Sequence, residues 1–426
     1  MANSIFIGVR EIAGRYESLF RGIQSLGFDV KIGILYPPPE AFYSSEDCPN
    51  GSFRHFNRAQ KSKVSLDKSS SITKLRHCLS FNMHSLRAMI RTIPSTKIYL
   101  FSFGTTFFPL GLDIILLRSL GKKVVVYYGH GSDCRPAFFQ AKPSWDRFLT
   151  GGSVTVYVLL EVLRSLKIRW VTWISSLTIS TMAVDHYISG RYVESFLLGV
   201  PSLSGTNKMP PLSKDDSLTI AHFPSSFLKG TEEIRSELDA IGFLDILQEK
   251  SFEAWIPRRA LVEKMGKATA LWDQKFLDIP ISASGVEAGF QATAVIAQGT
   301  GPSNYRQRFP GENFPPIIED FHELTQGASR GEVRKKLEEE GRRLKNFLDL
   351  NWSLDKVSKR YWLILTGAPE AETLQTPSRS SFQPMGLTST QIAHRLKVLD
   401  KSRLFRMMFP RIRAAMKAFV RREGLI

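Results

Sequence analysis

The chain has 426 residues, which exceeds the size of a typical single hydrophobic core and predicts two or three domains. Hydrophobic residues make up 43% and charged residues 23%, proportions that are typical of globular proteins and exclude wholesale disorder. The formal net charge of +17 favours an anionic partner, which charge alone leaves open among a nucleotide-sugar, an anionic membrane surface and a nucleic acid.

The cysteine pattern and the apolar stretches bear on the compartment. Three widely spaced cysteines predict neither a disulfide framework nor a zinc site, and they favour a reducing cytosol. The opening MANSIFIGVR lacks a basic region followed by a long apolar run, so we predict no secretion signal. The longest apolar stretch, Ser153 to Ser180, is interrupted by Glu161 and by basic residues, so we predict no transmembrane segment.

The first half of the chain alternates between strand and helix patterns. Such alternation is typical of a parallel sheet covered by helices. A helix pattern ending at Gly27 separates the first two strand-like runs, and another ending at Gly121 separates a later pair. The predicted strands are Ser4–Val9, Val30–Leu35, Ile98–Phe103, Val124–Tyr128 and Ser176–Ser180.

A Pro- and Ser-rich stretch after residue 200 predicts a linker, and a fresh strand follows it. Strands in the second half are predicted at Leu218–Phe223, Phe252–Trp255, Ala270–Trp272 and Ala292–Ala297. Two such halves joined by one linker predict a cleft between them. The predicted domains are therefore 1–200, a linker at 201–217, a second α/β domain at 218–365 and a basic helical tail at 366–426.

The second half opens with a strand, a polar loop and the sequence Lys229-Gly230-Thr231 at the start of a helix. A lysine beside the free N–H groups and the positive dipole end of a helix is suited to binding a diphosphate. The alternative is an ordinary capped helix with a surface lysine.

Another helix begins near Gly285 and contains Glu287. A carboxylate at this position in a dinucleotide-binding fold accepts hydrogen bonds from ribose hydroxyls. The alternative is a glutamate that only complements the helix dipole.

Several segments, in the right order, resemble the retaining group 1 glycosyltransferases of GT-B type. In the second half these are LTIAHFPSSFLKGTEEI, ALWDQ and GVEAGFQATAVIA, and in the first half IYLFSFGTTFFPLGLDIILLRSLGKKVVVYYGHGSDCR. The resemblance covers most of Ile98 to Ile318. It implies a GT-B fold of two Rossmann-like, doubly wound α/β domains facing a cleft, and a sugar transfer from a nucleotide-sugar to a polysaccharide or lipid-linked acceptor without a metal or other cofactor.

The resemblance also implies roles for individual residues. It assigns catalytic roles to His130, Asp133 and Lys229. The donor-binding positions that it implies are Gly14, Lys229, Gly230, Gly285 and Glu287.

Two departures from the family pattern favour a second hypothesis, a non-catalytic relative that serves as a nucleotide-binding scaffold. The family usually has an arginine shortly before the lysine, where this chain has Ser226 and its neighbours. Many members have a second glutamate eight residues before the ribose-binding one, and here that residue is Ile279. A third hypothesis, nucleic-acid binding, is supported by charge alone, because no recognisable motif accompanies it.

Residues 391–426 contain ten lysines and arginines beside an apolar stripe that includes Ile412, Ala415, Met416 and Phe419. Such a helix is suited to lying on an anionic membrane. The basic helical pattern at 154–170 has the same property. The alternative for both is that the apolar side packs against a domain. These patterns predict a cytoplasmic protein that associates peripherally with the inner face of the membrane.

Overall fold

The fold is known from a computed structural model, which describes residues 4–10, 15–36, 71–102, 104–128, 154–182, 184, 188–201, 217–224, 229–249, 256, 258–275, 279–299, 301–367, 374–376 and 389–422. Two compact units make up the chain. The first contains Met1–Cys134, Leu166–Ser204 and Ser353–Pro377, and the second contains Arg135–Ser165, Gly205–Trp352 and Ser378–Ile426. Most of the predicted linker lies outside the described residues.

The strands are β1 (Ile5–Arg10), β2 (Val30–Tyr36), β3 (Ile98–Ser102), β4 (Lys123–Tyr127), β5 (Leu177–Ser180), β6 (Tyr192–Glu194), β7 (Ile220–His222), β8 (Leu247–Glu249), β9 (Ala270–Gln274), β10 (Ala294–Ala297) and β11 (Leu374–Gln375). The α-helices are α1 (Arg15–Ser25), α2 (Ser71–Thr92), α3 (Leu112–Ser119), α4 (Val154–Ile174), α5 (Ser195–Leu198), α6 (Thr231–Ala240), α7 (Arg258–Lys267), α8 (Ala283–Phe290), α9 (Gly301–Arg308), α10 (Phe321–Thr325), α11 (Arg330–Asn351), α12 (Leu354–Thr366), α13 (Ser389–Leu399), α14 (Arg403–Met408) and α15 (Pro410–Arg422). Short 3-10 turns lie at Ile93–Ser95, Pro109–Gly111 and Leu244–Ile246.

The sheet of the first unit has the strand order β11-β6-β5-β4-β3-β1-β2. Its strands are parallel except β11, which pairs antiparallel with β6. The central strands β1, β3 and β4 are buried along almost their whole length, as expected for a parallel sheet with both faces covered. The strand order reverses direction at β1, since β2 and β3 lie on opposite sides of it.

Helix α12 belongs to the first unit although the second sheet precedes it in sequence. It packs on α1, where an added Cβ at Gly22 would lie 2.0 Å from Ser358 Oγ. The Trp362 ring stacks on Phe28 at 3.7 Å between centroids. The close approach at Gly22 explains why a glycine stands inside a helix, where it would otherwise weaken the element.

The sheet of the second unit has the strand order β10-β9-β7-β8, and every pairing is parallel. Its core contains Ile220, Trp272 and Ile296 from the strands, together with Ile234 and Leu337 from α6 and α11. The order reverses at β7, because β8 lies on one side of it and β9 on the other. The predicted α/β class with two doubly wound sheets is therefore confirmed.

The second unit also contains a helical cluster made by α13, α14, α15 and the first part of α4. Its buried residues are Val158, Val162, Ile392, Leu396, Leu399, Phe405, Phe409, Met416 and Val420. Met416 belongs to the apolar stripe predicted in the tail and is 1% exposed. Ile412 is partly buried against the cluster, whereas the side chains of Ala415 and Phe419 lie outside the described residues. The described residues of the stripe therefore pack inside the second unit. This agrees with the alternative in which the apolar side of the tail packs against a domain and does not dock on a membrane.

Predicted and observed elements differ mainly at short or half-exposed strands. The strand predicted at 252–255 lies outside the described residues, and β8 was not predicted. Strand β11 lies within the segment that was predicted to be a loop and tail. Across the residues that the structure describes, no helix combines the length and the apolar character needed to cross a membrane.

Candidate functional site

The topological switch point of the second unit lies at the carboxyl ends of β7 and β9. From β7 the chain continues to β8 on one side of it, and the next strand, β9, lies on the other side. In open α/β sheets, ligands bind outside the carboxyl ends of the strands at such a point. His222 ends β7, and Asp273 lies one residue before the end of β9. This edge of the sheet is therefore the candidate site.

Lys229 lies at this edge and is 4% exposed. Its Nζ donates to Asp273 Oδ1 at 2.6 Å, and it makes longer contacts of 3.3 and 3.4 Å to the hydroxyls of Ser282 and Ser284. The Lys229 carbonyl accepts from the Lys275 N–H at 3.2 Å. The lysine predicted to bind a diphosphate is thus held at the predicted edge, but as one partner of a buried ion pair.

Asp273 is 1% exposed and accepts hydrogen bonds from several groups. Besides Lys229, the Ser282 N–H donates to Oδ2 at 2.8 Å and the Ser282 hydroxyl to Oδ1 at 2.5 Å. Burial by itself raises the pKa of Asp273, but the Lys229 ammonium and the donors on Lys229 and Ser282 outweigh it, and the pKa lies below its ordinary value. The carboxylate is therefore ionised at neutral pH. Sequence reasoning missed this residue.

The start of helix α8 is built around the same carboxylate. Ser282 is its N-cap and accepts from the Gly285 N–H, which satisfies one of the free donors of the first turn. An added Cβ at Gly285 would lie 2.8 Å from Asp273 Oδ2 and 2.6 Å from Ile281 Cγ1. A glycine is needed at position 285 because the helix approaches Asp273 closely. This structural role is separate from the contact with the donor that was predicted for Gly285.

The other two described donor-binding positions, Gly230 and Glu287, belong to α6 and α8. Gly230 has a positive φ of 74° and caps α6, so Lys229 directly precedes the helix as predicted. Glu287 lies in α8 and is 4% exposed. The structure therefore brings Lys229, Gly230 and Gly285 to one edge and places Glu287 in the helix that begins there.

His222 is a further buried polar group at this edge, and sequence reasoning did not identify it. Its Nδ1 lies 2.8 Å from the Trp272 carbonyl oxygen, and its Nε2 lies 3.0 Å from Thr231 Oγ1. A carbonyl only accepts, so Nδ1 carries the proton and Nε2 accepts from the threonine hydroxyl. Burial lowers the pKa of His222 below its ordinary value. The neutral imidazole therefore ties β7, β9 and α6 together.

Beyond the end of β9, a second polar cluster lies at the same edge. Lys275 forms an ion pair with Glu237, and its Nζ donates to Gln298 Oε1 at 2.9 Å. Gln298 Nε2 in turn donates to Glu237 Oε1 at 3.1 Å. The three side chains therefore join the ends of β9 and β10 to α6.

The remaining predicted site residues, Gly14, His130 and Asp133, lie outside the described residues, as does Ser226. In the described part of the first unit, the ends of β1 and β3 are joined by the Ser102 hydroxyl, which donates to the Arg10 carbonyl at 2.6 Å. Ile279, the other family departure, is described, and its carbonyl accepts from Gln274 Nε2 at 2.5 Å.

The edge brings together one ammonium, one carboxylate, two serine hydroxyls and the first turns of two helices. Helix N-termini and a lysine are suited to phosphate oxygens. Lysine donates three hydrogen bonds, and the two contacts to Ser282 and Ser284 are long. These weak contacts can be exchanged for phosphate oxygens at small cost, while Asp273 fixes the position of the ammonium.

Comparisons with known proteins give only distant likenesses. No family model matches the sequence, and no curated protein matches it. Among solved structures, the chain is similar to Anabaena HepE in complex with UDP, at 10% identity and a TM-score of 0.41 over 85% of this chain and 99% of that one. It is also similar to WaaG, a glycosyltransferase involved in lipopolysaccharide biosynthesis, at 11% identity and a TM-score of 0.42 over 86% and 100%. A glycosyltransferase from Rickettsia africae shows 10% identity and a TM-score of 0.38 over 86% and 98%. These values are too low to transfer an activity to this chain.

Proposed function

We propose that the chain is a GT-B glycosyltransferase that moves a hexose from a nucleotide-sugar to a polysaccharide or lipid-linked acceptor. In this proposal the transfer retains the configuration at the anomeric carbon. The observation that supports this most is the position of Lys229, which stands with two helix N-termini at the topological switch point of the second unit. The sequence resemblance supplies the reaction type and the retention.

In this proposal the donor diphosphate lies over the first turns of α6 and α8. Negative charge develops on the leaving phosphate as the sugar departs. Lys229 and the free N–H groups of the helix ends stabilise that charge, because they are oriented before the reaction begins. The Ser282 hydroxyl donates its one proton to Asp273 and acts only by holding that carboxylate beside Lys229. The buried Asp273 keeps the ammonium in place before the donor arrives. Glu287 accepts hydrogen bonds from the ribose.

The proposed cellular setting is the cytoplasm, with peripheral association at the inner face of the membrane. A lipid-linked acceptor would be reached there, and the net charge of +17 favours an anionic surface.

A thermal-shift screen tests donor binding. The full chain is melted alone and with uridine, guanosine and adenosine diphosphate sugars. One nucleotide series should raise the melting temperature, because a ligand that binds only the folded state stabilises it by an amount that grows with the logarithm of the ligand concentration above Kd. A chain that responds to none of them, under conditions where a known transferase does, is not a nucleotide-sugar transferase.

A second candidate, the non-catalytic scaffold, is favoured by one observation: Asp273 already neutralises Lys229. The two functions differ in product formation. A transferase cleaves the nucleotide-sugar that raises its melting temperature and releases the nucleoside diphosphate. A scaffold shows the same rise in melting temperature but releases no nucleoside diphosphate.

A further inference from the structure

Two helices of the first unit expose large apolar side chains on one side. Helix α3 exposes Leu112, Ile115 and Leu116, and the second half of α4 exposes Leu166, Trp170 and Trp173. Trp173 is 68% exposed and Leu112 58%. We call these six residues the apolar face. Monomeric soluble proteins rarely expose large contiguous apolar patches, and patches of this kind mark interaction sites.

The two helices are fixed to each other. Trp170 Nε1 donates to the Leu110 carbonyl at 3.1 Å, and Arg118 donates to the Ile174 carbonyl at 2.8 Å. An added Cβ at Gly111 would lie 3.2 Å from Val171 Cγ2, so the chain before α3 is in close contact with α4. The apolar face is therefore one surface and not a set of separate exposed side chains.

The sequence of α4 places its exposed apolar residues on a single side. Leu166, Trp170 and Trp173 follow one another at intervals of four and three residues, which is the spacing of one helix face. Towards the N-terminus of the helix the same side carries Leu159 and Leu163, which are also exposed. An amphipathic helix of this kind buries one side in the core, here through Ile168 and Val171, and presents the other side to a partner.

Within α3 and α4, the exposed charges have one sign. The acidic residues of α3 and α4, Asp113 and Glu161, are buried, at 2% and 9% exposed. The exposed charged residues of the two helices are Arg118, Lys167 and Arg169. Basic side chains beside tryptophan and leucine are the composition of helices that lie in the headgroup region of an anionic bilayer. Tryptophan prefers this depth because its ring is apolar and its N–H is polar.

We propose that the apolar face docks on the surface of an anionic membrane, with the Trp170 and Trp173 rings at headgroup depth and the basic residues on lipid phosphates. The inference specifies the proposed peripheral association and rests on that part of the proposed function, not on sugar transfer. It also places the docking surface on α3 and α4 and not on the tail, whose residue Met416 is buried in the helical cluster.

Sedimentation with vesicles tests the proposal on the full chain. Vesicles of phosphatidylcholine with one-third phosphatidylglycerol are compared with vesicles of phosphatidylcholine alone, for the wild type and for Trp173→Glu and Leu116→Glu. The matched control is Leu350→Glu, which introduces the same charge at a residue 65% exposed in the second unit. Melting curves without vesicles show whether each variant is folded.

The wild type should sediment with anionic vesicles, and the Trp173 and Leu116 variants should partition at least tenfold less, with unchanged melting. The Leu350 variant should sediment like the wild type. Wild-type protein that stays in the supernatant overturns the proposal, and so does equal sedimentation of the wild type and both face variants. If the wild type is a dimer that Trp173→Glu converts to a monomer, without any vesicle binding by either, the face is an interface between two copies.

A second readout separates this proposal from the proposed function. The nucleotide-sugar thermal shift of Trp173→Glu should equal that of the wild type, because the variant residue belongs to the first unit and the donor site to the second. A missing shift in both proteins, with vesicle binding intact, refutes sugar transfer and leaves the docking surface standing.

Discussion

The Nζ of Lys229 lies 2.6 Å from Oδ1 of Asp273, and both residues are almost fully buried. Taking two charges out of water costs several kcal/mol per ion, and only a close pair with additional hydrogen bonds compensates for it. Ser282 supplies those hydrogen bonds. Each charge is therefore tolerated only while the other is present.

Removing one partner should be worse than removing both. Lys229→Met leaves a buried carboxylate without its cation and should lower the free energy of unfolding by about 3–5 kcal/mol. The double variant Lys229→Met with Asp273→Leu should recover part of that loss, because it removes the uncompensated charge. The recovery stays incomplete, since the N–H and the hydroxyl of Ser282 lose their acceptor. Guanidinium unfolding of the three proteins measures both differences. Equal losses in the single and double variants would contradict the buried pair.

Protonation of His222 should couple stability to pH in a defined direction. Burial lowers its pKa in the folded state, whereas the unfolded chain has the ordinary value of about 6.5. Below that pH the unfolded chain binds a proton at His222 that the folded chain does not bind. The contribution of the neutral His222 to the free energy of unfolding is therefore complete above about pH 6.5 and falls as the pH drops towards the folded pKa.

The slope of that loss is at most about 1.4 kcal/mol per pH unit for one proton. His222→Asn keeps a donor for the Trp272 carbonyl and removes the titration. The free energy of unfolding, measured between pH 7.5 and 5, should fall less in this variant than in the wild type. If the free energy of unfolding depended on pH equally in both proteins, the pKa of His222 would be the same in the folded and the unfolded chain.

Gly285→Ala should damage the candidate site through a single methyl group. The new Cβ would lie 2.6 Å from Ile281 Cγ1 and 2.8 Å from Asp273 Oδ2, and overpacking of this kind costs about 1–3 kcal/mol. Gly331→Ala is the matched control, because nothing lies within 4 Å of its added Cβ, and an alanine there should be neutral or slightly stabilising. Equal free energies of unfolding in the two variants would contradict the close approach of Gly285 to Ile281 and Asp273.

Glu287→Gln should weaken donor binding by about 1.5–3 kcal/mol, the range for hydrogen bonds to a charged group. The control is Glu339→Gln, which removes a carboxylate from an exposed position in α11. Calorimetric titration uses the nucleotide-sugar identified by the thermal-shift screen. An unchanged affinity in Glu287→Gln would leave the residue with a role in the helix dipole alone.

The tail should contribute to stability through its buried cluster. Leu399→Ala removes a side chain that is 0% exposed and should cost about 2–5 kcal/mol. Met407→Ala, at a residue 64% exposed, should stay within about 0.5 kcal/mol of the wild type. Denaturant unfolding compares the two. Equal stability of the two variants would contradict the packing of Leu399 in the helical cluster.

The long buried strands could be predicted from the sequence because each is a continuous apolar run. The strand predicted at Ile98–Phe103 is observed at Ile98–Ser102, and the one predicted at Val30–Leu35 continues one residue further, to Tyr36. Strand β8 reads Leu-Gln-Glu and is half exposed, so it carries neither an apolar run nor an alternation. Strand β11 has two residues and pairs with β6 at the edge of the sheet. A strand this short carries no local pattern from which it could be predicted.

The candidate site was predictable in part. The position of Lys229 before a helix followed from local sequence, but its partner Asp273 stands 44 residues later, and only the strand order brings them together. One signal was present: an aspartate that follows the buried run Ala-Leu-Trp lies at the carboxyl edge of a parallel sheet, where polar residues of other strands also gather. His222 ends its strand in the same way.

The return of α12 to the first unit affects the order in which the chain can fold during synthesis. The partners of Phe28 and Gly22 are Trp362 and Ser358, so the first unit lacks part of its packing until Gly205–Trp352 has been made. At ~5–20 residues per second this delay is on the order of ten seconds. During that interval the side of α1 that packs on α12 has no native cover, and transiently exposed apolar surface of this kind favours aggregation.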